Sequence, residues 1–279
     1  CGKSMLARRL PSILPPMGFE EALATTQVHA AAGLLGPDAG LLVERPFRAP
    51  HHTVTVAGLV GDRTLRPGEL SLAHHGVLFL DEAPEFRRSV LEVLRQPLEE
   101  GEVRVTRAAG SVRYPAAITL IMAANRCPCG MKGLADEACT CPDTLSERYL
   151  RRLSGPILDR IDLHLQLDPI SPRQLLFGEP GEASATVRTR VVAARQRQVD
   201  RGQAVPNGQL PDRAIAAMAQ LTAEGRRVVG DAADRFGLSA RATTRLIRVA
   251  RTLADLSDSD AVTAEHVLDA QAWRALTPA

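Results

Sequence analysis

The sequence predicts an α/β protein in which a parallel-sheet core is followed by an all-helical region. Three observations predict it. Two apolar runs, "GVLFLDEAPEF" from Gly76 and "AAITLIMAAN" from Ala116, end in polar residues, as strands buried on both faces of a parallel sheet do. A stretch with helical spacing lies between them. Beyond Pro169, Pro172 and Pro180 the strand pattern disappears, and only helical periodicity remains.

Taken in order, "KSMLARRLPSIL" (3–14) has helical spacing until Pro11 disturbs it. "FEEALATTQVHAAAGLL" follows as a helix with acids in its first turn and glycines near its end. Residues 45–74 alternate apolar and polar side chains around Gly58 and Gly61, which predicts a hairpin or two short strands. After the first apolar strand, "RRSVLEVLRQPLEEG" reads as one helix and "EVRVTRAAGSVRYP" as a second hairpin. A cysteine-rich loop, a basic helix "LSERYLRRLSGPILDR" and a strand "IDLHLQLDPI" follow the second apolar run. The division falls near residue 170, giving an α/β core over 1–170 and a helical lid of four or five helices over 171–279.

At 279 residues the chain has room for two such units. Aromatic residues make up 3%, which argues against binding by extended stacking, and a net charge of +2 gives no global case for a polyanion partner. There is no signal peptide and no apolar run long enough to span a bilayer, so a cytoplasmic protein without a membrane partner is expected. The first residue is not Met, which suggests a piece of a longer polypeptide.

Gly2-Lys3-Ser4 matches the end of the phosphate-binding pattern G-x-x-x-x-G-K-[ST], in which Lys reaches the β- and γ-phosphates and the hydroxyl ligates Mg²⁺. Alone it is a weak signal. Asp81 and Glu82 strengthen it, because acids at the end of a buried strand lie where open α/β sheets bind ligands. Asp81 there suits Mg²⁺ held through water, and Glu82 suits polarising an attacking water. Asn125 ends the next strand and suits positioning that water.

Cys127, Cys129, Cys139 and Cys141 form two C-x-C pairs flanking a short loop. Four thiolates at this spacing suit a structural zinc ion, with free thiols or a redox pair as the alternatives. The pairs His51-His52 and His74-His75 lack acids or cysteines at ligand spacing, and read as groups that satisfy backbone or position the insertion between them. Arg148, Arg151, Arg152 and Arg160 lie in one basic segment. The first three fit a solvated helix face, while Arg160 abuts a strand start and suits stabilising charge on a transferring phosphoryl group. Arg63, Arg66, Arg104, Arg107 and Arg113 sit on the two expected hairpins, where they suit either a phosphate-gripping surface or an ordinary charged one.

The order "GKS", "GVLFLDE", "AAN", "GPILDRID" and "SARATTRLIRVARTLADL" resembles that of an AAA+ ATPase. The wording of "RPFRAPHHTVTVAGLVG", "RPGELSLAHHGVLFLDEAPEF" and "CPCG" resembles the magnesium-chelatase-like competence protein ComM/YifB family over nearly the whole chain. The resemblance implies an AAA+ P-loop NTPase core, an αβα parallel sheet with β-hairpin insertions, followed by a helical lid. It implies ATP and Mg²⁺ as cofactors, with Gly2, Lys3 and Ser4 in Walker A and Asp81 and Glu82 in Walker B. Asn125 becomes sensor 1, Arg241 sensor 2, and Arg160 an arginine finger acting in trans within a homohexameric ring. A Lon-like N-terminal domain and the first half of Walker A are absent from this sequence, so the chain as given is expected to bind nucleotide poorly. The implied activity is ATP-driven translocation on single-stranded or branched DNA that promotes branch migration in natural transformation. A chelatase-type ATPase subunit driving metal into a porphyrin, and a protein-remodelling regulator, are the alternatives.

Overall fold

In the computed structural model of the chain, residues 2–107, 110–133, 139–153, 155–168 and 170–274 are described, with the side chains of Arg107, Pro172, Gln174 and Leu175 excepted. The chain divides into two compact units. One comprises residues 1–160 and 167–180, the other 161–166 and 181–279.

The first unit begins with α1 (Lys3–Ile13) and α2 (Phe19–Ala31). Pro11 does not end α1: the helix runs two residues beyond it to Ile13, without the bond that this position would donate to Ala7 O. Strand β1 (Phe47–Arg48) leads into two short helices, α3 (Val56–Val60) and α4 (Glu69–Leu72), and then into β2 (Val77–Leu80). The strands expected around Gly58 and Gly61 are therefore replaced by helical turns joined by a single antiparallel bridge, Gly61 to Pro67. Local side-chain bonds explain the difference. Thr55 Oγ1 accepts from Gly58 N, and Asp62 Oδ1 accepts from Thr64 N, Thr64 Oγ1 and Arg66 N, so this backbone is satisfied without a ladder.

The single helix expected after β2 is two, α5 (Arg88–Val93) and α6 (Arg95–Glu100), since Pro97 has no N–H to donate across the joint. The second hairpin forms as expected from β3 (Glu102–Arg107) and β4 (Gly110–Pro115), antiparallel with Arg104 opposite Arg113. Strand β5 (Thr119–Met122) completes a parallel sheet of order β1-β2-β5. Its residues are half-buried or exposed rather than fully enclosed, as suits a strand at the edge of that order. The basic segment after the cysteine loop gives α7 (Asp143–Leu150) and α8 (Gly155–Leu158) instead of one helix.

The β2 strand is buried on both faces. Leu78 and Leu80 pack with Leu59, Leu70, Leu91, Leu94, Val105 and Ile157 in the main core. Phe79 points to the opposite face and packs with Ala7 of α1 and Ala123. The close spacing of β1 and β2 requires Gly76: Val77 N donates to Pro46 O at 2.8 Å, and a Cβ on Gly76 would lie 2.0 Å from that oxygen.

The helix α9 (Pro172–Phe177) closes the first unit. Residues 161–168, expected as a strand, form none. Their alternation is intact, but Leu163, Leu165 and Leu167 are exposed, so no buried face rewards strand pairing.

The second unit holds α10 (Ser184–Asp200), α11 (Asp212–Met218), α12 (Ala223–Phe236), α13 (Ala240–Leu256) and α14 (Ala264–Ala272). Thr222 and Ser239 cap α12 and α13 through their hydroxyls. Leu246, Ala250 and Ala254 form the apolar stripe of α13, packed with Val229, Val262 and Val267. One turn of the same helix buries a charged pair. Arg251 is fully enclosed, donating to Asp255 Oδ1 at 3.1 Å and to the carbonyls of Ala219, Ser259 and Asp260. Burial opposes ionisation of Asp255, but bonds from Arg201 and Asn207 and the Arg251 charge hold its carboxyl below the usual range.

Candidate functional site

Packing of α1 across Phe79 brings the start of that helix to the carboxyl ends of β2 and β5. Gly2 caps the helix with φ 68° and ψ 6°, and among the described residues no side chain bonds the first free N–H groups. There are no acids in the first turn. This end therefore offers unpaired donors and the positive pole of an 11-residue helix, the arrangement that attracts phosphate.

Four expected site residues converge there. Lys3 Nζ donates to Asn125 Oδ1 at 2.6 Å and to Ala124 O at 2.9 Å. Ser4 Oγ donates to Asp81 Oδ2 at 2.6 Å. Glu82 follows Asp81 with φ 50° and ψ 46°, a left-handed conformation unfavourable for a side chain of this kind. Its own N–H bonds Asp81 Oδ1 at 3.1 Å. Asp81 and Glu82 are exposed, while Lys3, Ser4 and Asn125 are partly buried. Ser4 and Asp81 supply hard oxygen donors side by side, a donor set that fits Mg²⁺. Nearby, burial and then the charges of Glu85 and Glu82 push the Tyr149 phenol up to about 12, so it keeps its proton.

The other expected residues lie elsewhere. Arg160 follows α8, and its side chain is only 8% exposed. It donates to Glu99 Oε1 at 2.6 Å and to Pro156 O, and makes no contact with Lys3, Asp81 or Asn125 among the described residues. Arg241 begins α13 in the second unit and is exposed there.

The two segments that carry the hairpin arginines are joined by one bond. Tyr114 Oη donates to Leu65 O at 2.8 Å, tying the turn that carries Arg63 and Arg66 to strand β4. Arg63, Arg66, Arg104 and Arg113 are exposed, whereas Val103 and Val105 point into the core. Arg104 and Arg113 face one another directly across the strands, and Arg113 is 3.6 Å from Glu102. The Arg107 side chain lies outside the described residues.

Arg148, Arg151 and Arg152 line an open groove of about 600 Å³ together with Arg87 and Arg88. Arg152 is held by Glu85 and Arg151 by Glu147. Arg87 and Arg88 were not singled out by sequence reasoning. Their signal was position: they follow the Asp81-Glu82 turn by only a few residues.

All four cysteines meet, with their sulfur atoms within 4.8 Å of one another. Cys127 Sγ is 3.3 Å from Cys129 and 3.7 Å from Cys139, and Cys129 is 3.7 Å from Cys139. Four sulfurs around a tetrahedral ion with bonds of about 2.3 Å lie about 3.8 Å apart, so the set fits zinc closely. Burial works against ionisation of Cys127, yet the Lys132 N–H and the neighbouring thiols bring it down to about 6. Cys139 accepts a backbone bond from Cys141, but desolvation and the adjoining sulfurs push it up to about 11. One histidine of each pair serves the backbone: His74 Nδ1 accepts from Ala117 N, and His51 Nδ1 accepts from Thr53 N besides bonding the Thr53 hydroxyl.

Comparison with known proteins matches residues 1–175 to the model of the magnesium chelatase subunit ChlI, and residues 181–274 to that of the ChlI C-terminal region. The chain belongs to the magnesium-chelatase ChlI family. Within the family it groups with the ComM/YifB proteins, as its motifs imply. It is 42% identical over 280 residues to YifB of Salmonella typhimurium and 41% identical over 281 residues to the competence protein ComM of Haemophilus influenzae, covering 99% of this chain and 54% of each relative. It therefore spans about half the length of these curated relatives. A 38 kDa magnesium-chelatase subunit of Rhodobacter capsulatus is 25% identical over 284 residues, 95% of this chain and 74% of the relative. The ChlI-family fold, a parallel α/β core with a helical C-terminal region, is that of an AAA+ ATPase. Among the described residues no helix is long and apolar enough to cross a membrane.

Proposed function

We propose that the chain is the motor part of a ring-forming ATPase that moves on DNA. The observation that carries the ATPase reading is the meeting of Lys3 with Asn125 and of Ser4 with Asp81 at one helix start. Lys3 neutralises phosphate charge as the γ-phosphoryl group departs. Glu82 takes the proton of the attacking water, and Asn125 orients that water. Ser4 and Asp81 would hold Mg²⁺, which when bound would supply further charge neutralisation. Arg241 serves as sensor 2, and Arg160 acts on the nucleotide of an adjoining copy in a homohexamer. A structural zinc ion on the four cysteines completes the cofactor set, and the compartment is the cytoplasm.

The DNA reading is supported by the hairpin. Like charges directly opposite on two strands are destabilising, so Arg104 facing Arg113 makes sense where a polyanion lies over both. The Haemophilus influenzae relative is named as a competence protein, which favours DNA over a porphyrin substrate. The test is ATP turnover by the full-length protein, with and without single-stranded and branched DNA. Several-fold stimulation is expected. Turnover indifferent to both would remove DNA as the substrate, and genes for chlorophyll synthesis beside this one would favour the chelatase reading.

A further inference from the structure

We propose that a thiophilic divalent ion, zinc, bound by Cys127, Cys129, Cys139 and Cys141 fixes Asn125 against Lys3, and so makes the response to γ-phosphate metal-dependent. The proposal rests on the ATPase reading of the Lys3–Asn125 site.

The connection is short and covalent. Cys127 lies two residues beyond Asn125 and is fully buried. It turns the chain sharply: Gly130 N donates to Cys127 O at 3.1 Å, and Lys132 N reaches Cys127 Sγ at 3.4 Å. This turn lays the loop against the Asn125 amide, since a Cβ on Gly130 would lie 3.6 Å from Asn125 Nδ2. At its far end the loop is tied by Lys132 to Asp143, the first residue of α7.

What the loop lacks is a core. Among the described residues from 126 to 142, Cys127 alone is buried. A segment with so little apolar burial does not hold a fixed path through packing, and a tetrahedral cross-link supplies the missing constraint. The four sulfurs already stand near the spacing that zinc requires. Asn125 then takes its direction from two anchors, Lys3 on its Oδ1 and the metal-pinned turn against its Nδ2. The cysteines are positioning residues in this scheme. They touch neither nucleotide nor the attacking water.

The test uses full-length protein. Metal analysis is expected to find about one zinc per chain, and cobalt replacement to give the absorption of a tetrathiolate site. Cys139→Ser is expected to lose the metal, to lower kcat and the preference for ATP over ADP each about tenfold, and to leave ADP affinity within about twofold. Cys139→His, which keeps a ligand, is expected to retain all three properties. Absence of zinc and of the cobalt spectrum would overturn the proposal. So would a metal-free Cys139→Ser protein with unchanged kcat and ATP preference, or one that loses ADP binding equally, since the cluster would then hold the fold and not Asn125. The underlying reading fails separately: metal-loaded Glu82→Gln protein that hydrolyses ATP at the full rate would remove the ATPase site while leaving the metal site standing.

Discussion

Ser4 Oγ and Asp81 Oδ2 are 2.6 Å apart although 77 residues separate them in the chain. The contact joins the start of α1 to the end of β2, and it depends on Ala7 seating α1 upon Phe79. Removing a member of this group has a distinct effect from removing Glu82. Lys3→Ala is expected to weaken ATP binding about tenfold or more, because a charged hydrogen bond contributes about 1.5–3 kcal/mol. Glu82→Gln is expected to keep that affinity and lower turnover about 10²–10⁴-fold. Nucleotide titration and single-turnover hydrolysis separate the two, and equal behaviour of both variants would contradict the assignment.

If DNA lies over the Arg104–Arg113 pair, as proposed, the salt dependence of binding reveals it. Each arginine that neutralises a phosphate contributes a little under 1 to the slope of log affinity against log salt. The double variant Arg104→Ala, Arg113→Ala is expected to flatten that slope by between about 1 and 2 without lowering the melting temperature, because the two positive charges repel in the free protein. An unchanged slope would place the DNA elsewhere.

Arg160 is held by Glu99 within its own copy. A role in trans requires that bond to open when copies assemble. Arg160→Ala is expected to cut turnover about 10³-fold or more with nucleotide affinity retained. Mixing it with Glu82→Gln protein is expected to restore part of the activity, and no restoration at any ratio would show that each copy works alone.

His74 sets part of the pH dependence of stability. Burial, and then the neighbouring His75, lower its pKa from 6.5 to about 3, so the folded chain keeps it neutral and accepting from Ala117. The unfolded chain takes up a proton at the ordinary value. The His74 contribution to stability is therefore expected to be full above about pH 6.5 and to fall as pH drops toward about 3, with a slope approaching 1.36 kcal/mol per pH unit for one proton. His74→Asn is expected to remove one proton from that slope in urea unfolding at several pH values. Identical slopes would show that another group titrates.

The site was more legible than the elements around it. Lys3, Asp81 and Asn125 could be read because strand ends in a parallel sheet collect chemistry at one edge, and the apolar runs mark where those ends fall. The turn at Asp62 was not, since its side chain satisfies three donors that a strand would have bonded across a ladder. Pro97 divided a helix whose apolar periodicity continues unbroken across the joint. Leu163, Leu165 and Leu167 carry a strand's alternation with no partner to make it pay in burial. The meeting of four sulfurs was visible as spacing alone, while the loop's contact with Asn125 needed the backbone turn at Gly130.

Gly76 performs no chemistry, yet the edge that carries the candidate site hangs on it. Even a methyl group there would collide with Pro46, prise the first strand from the second, and carry the acidic pair away from the helix that meets it. A change of one carbon here is thus expected to damage the candidate site without touching any of its side chains.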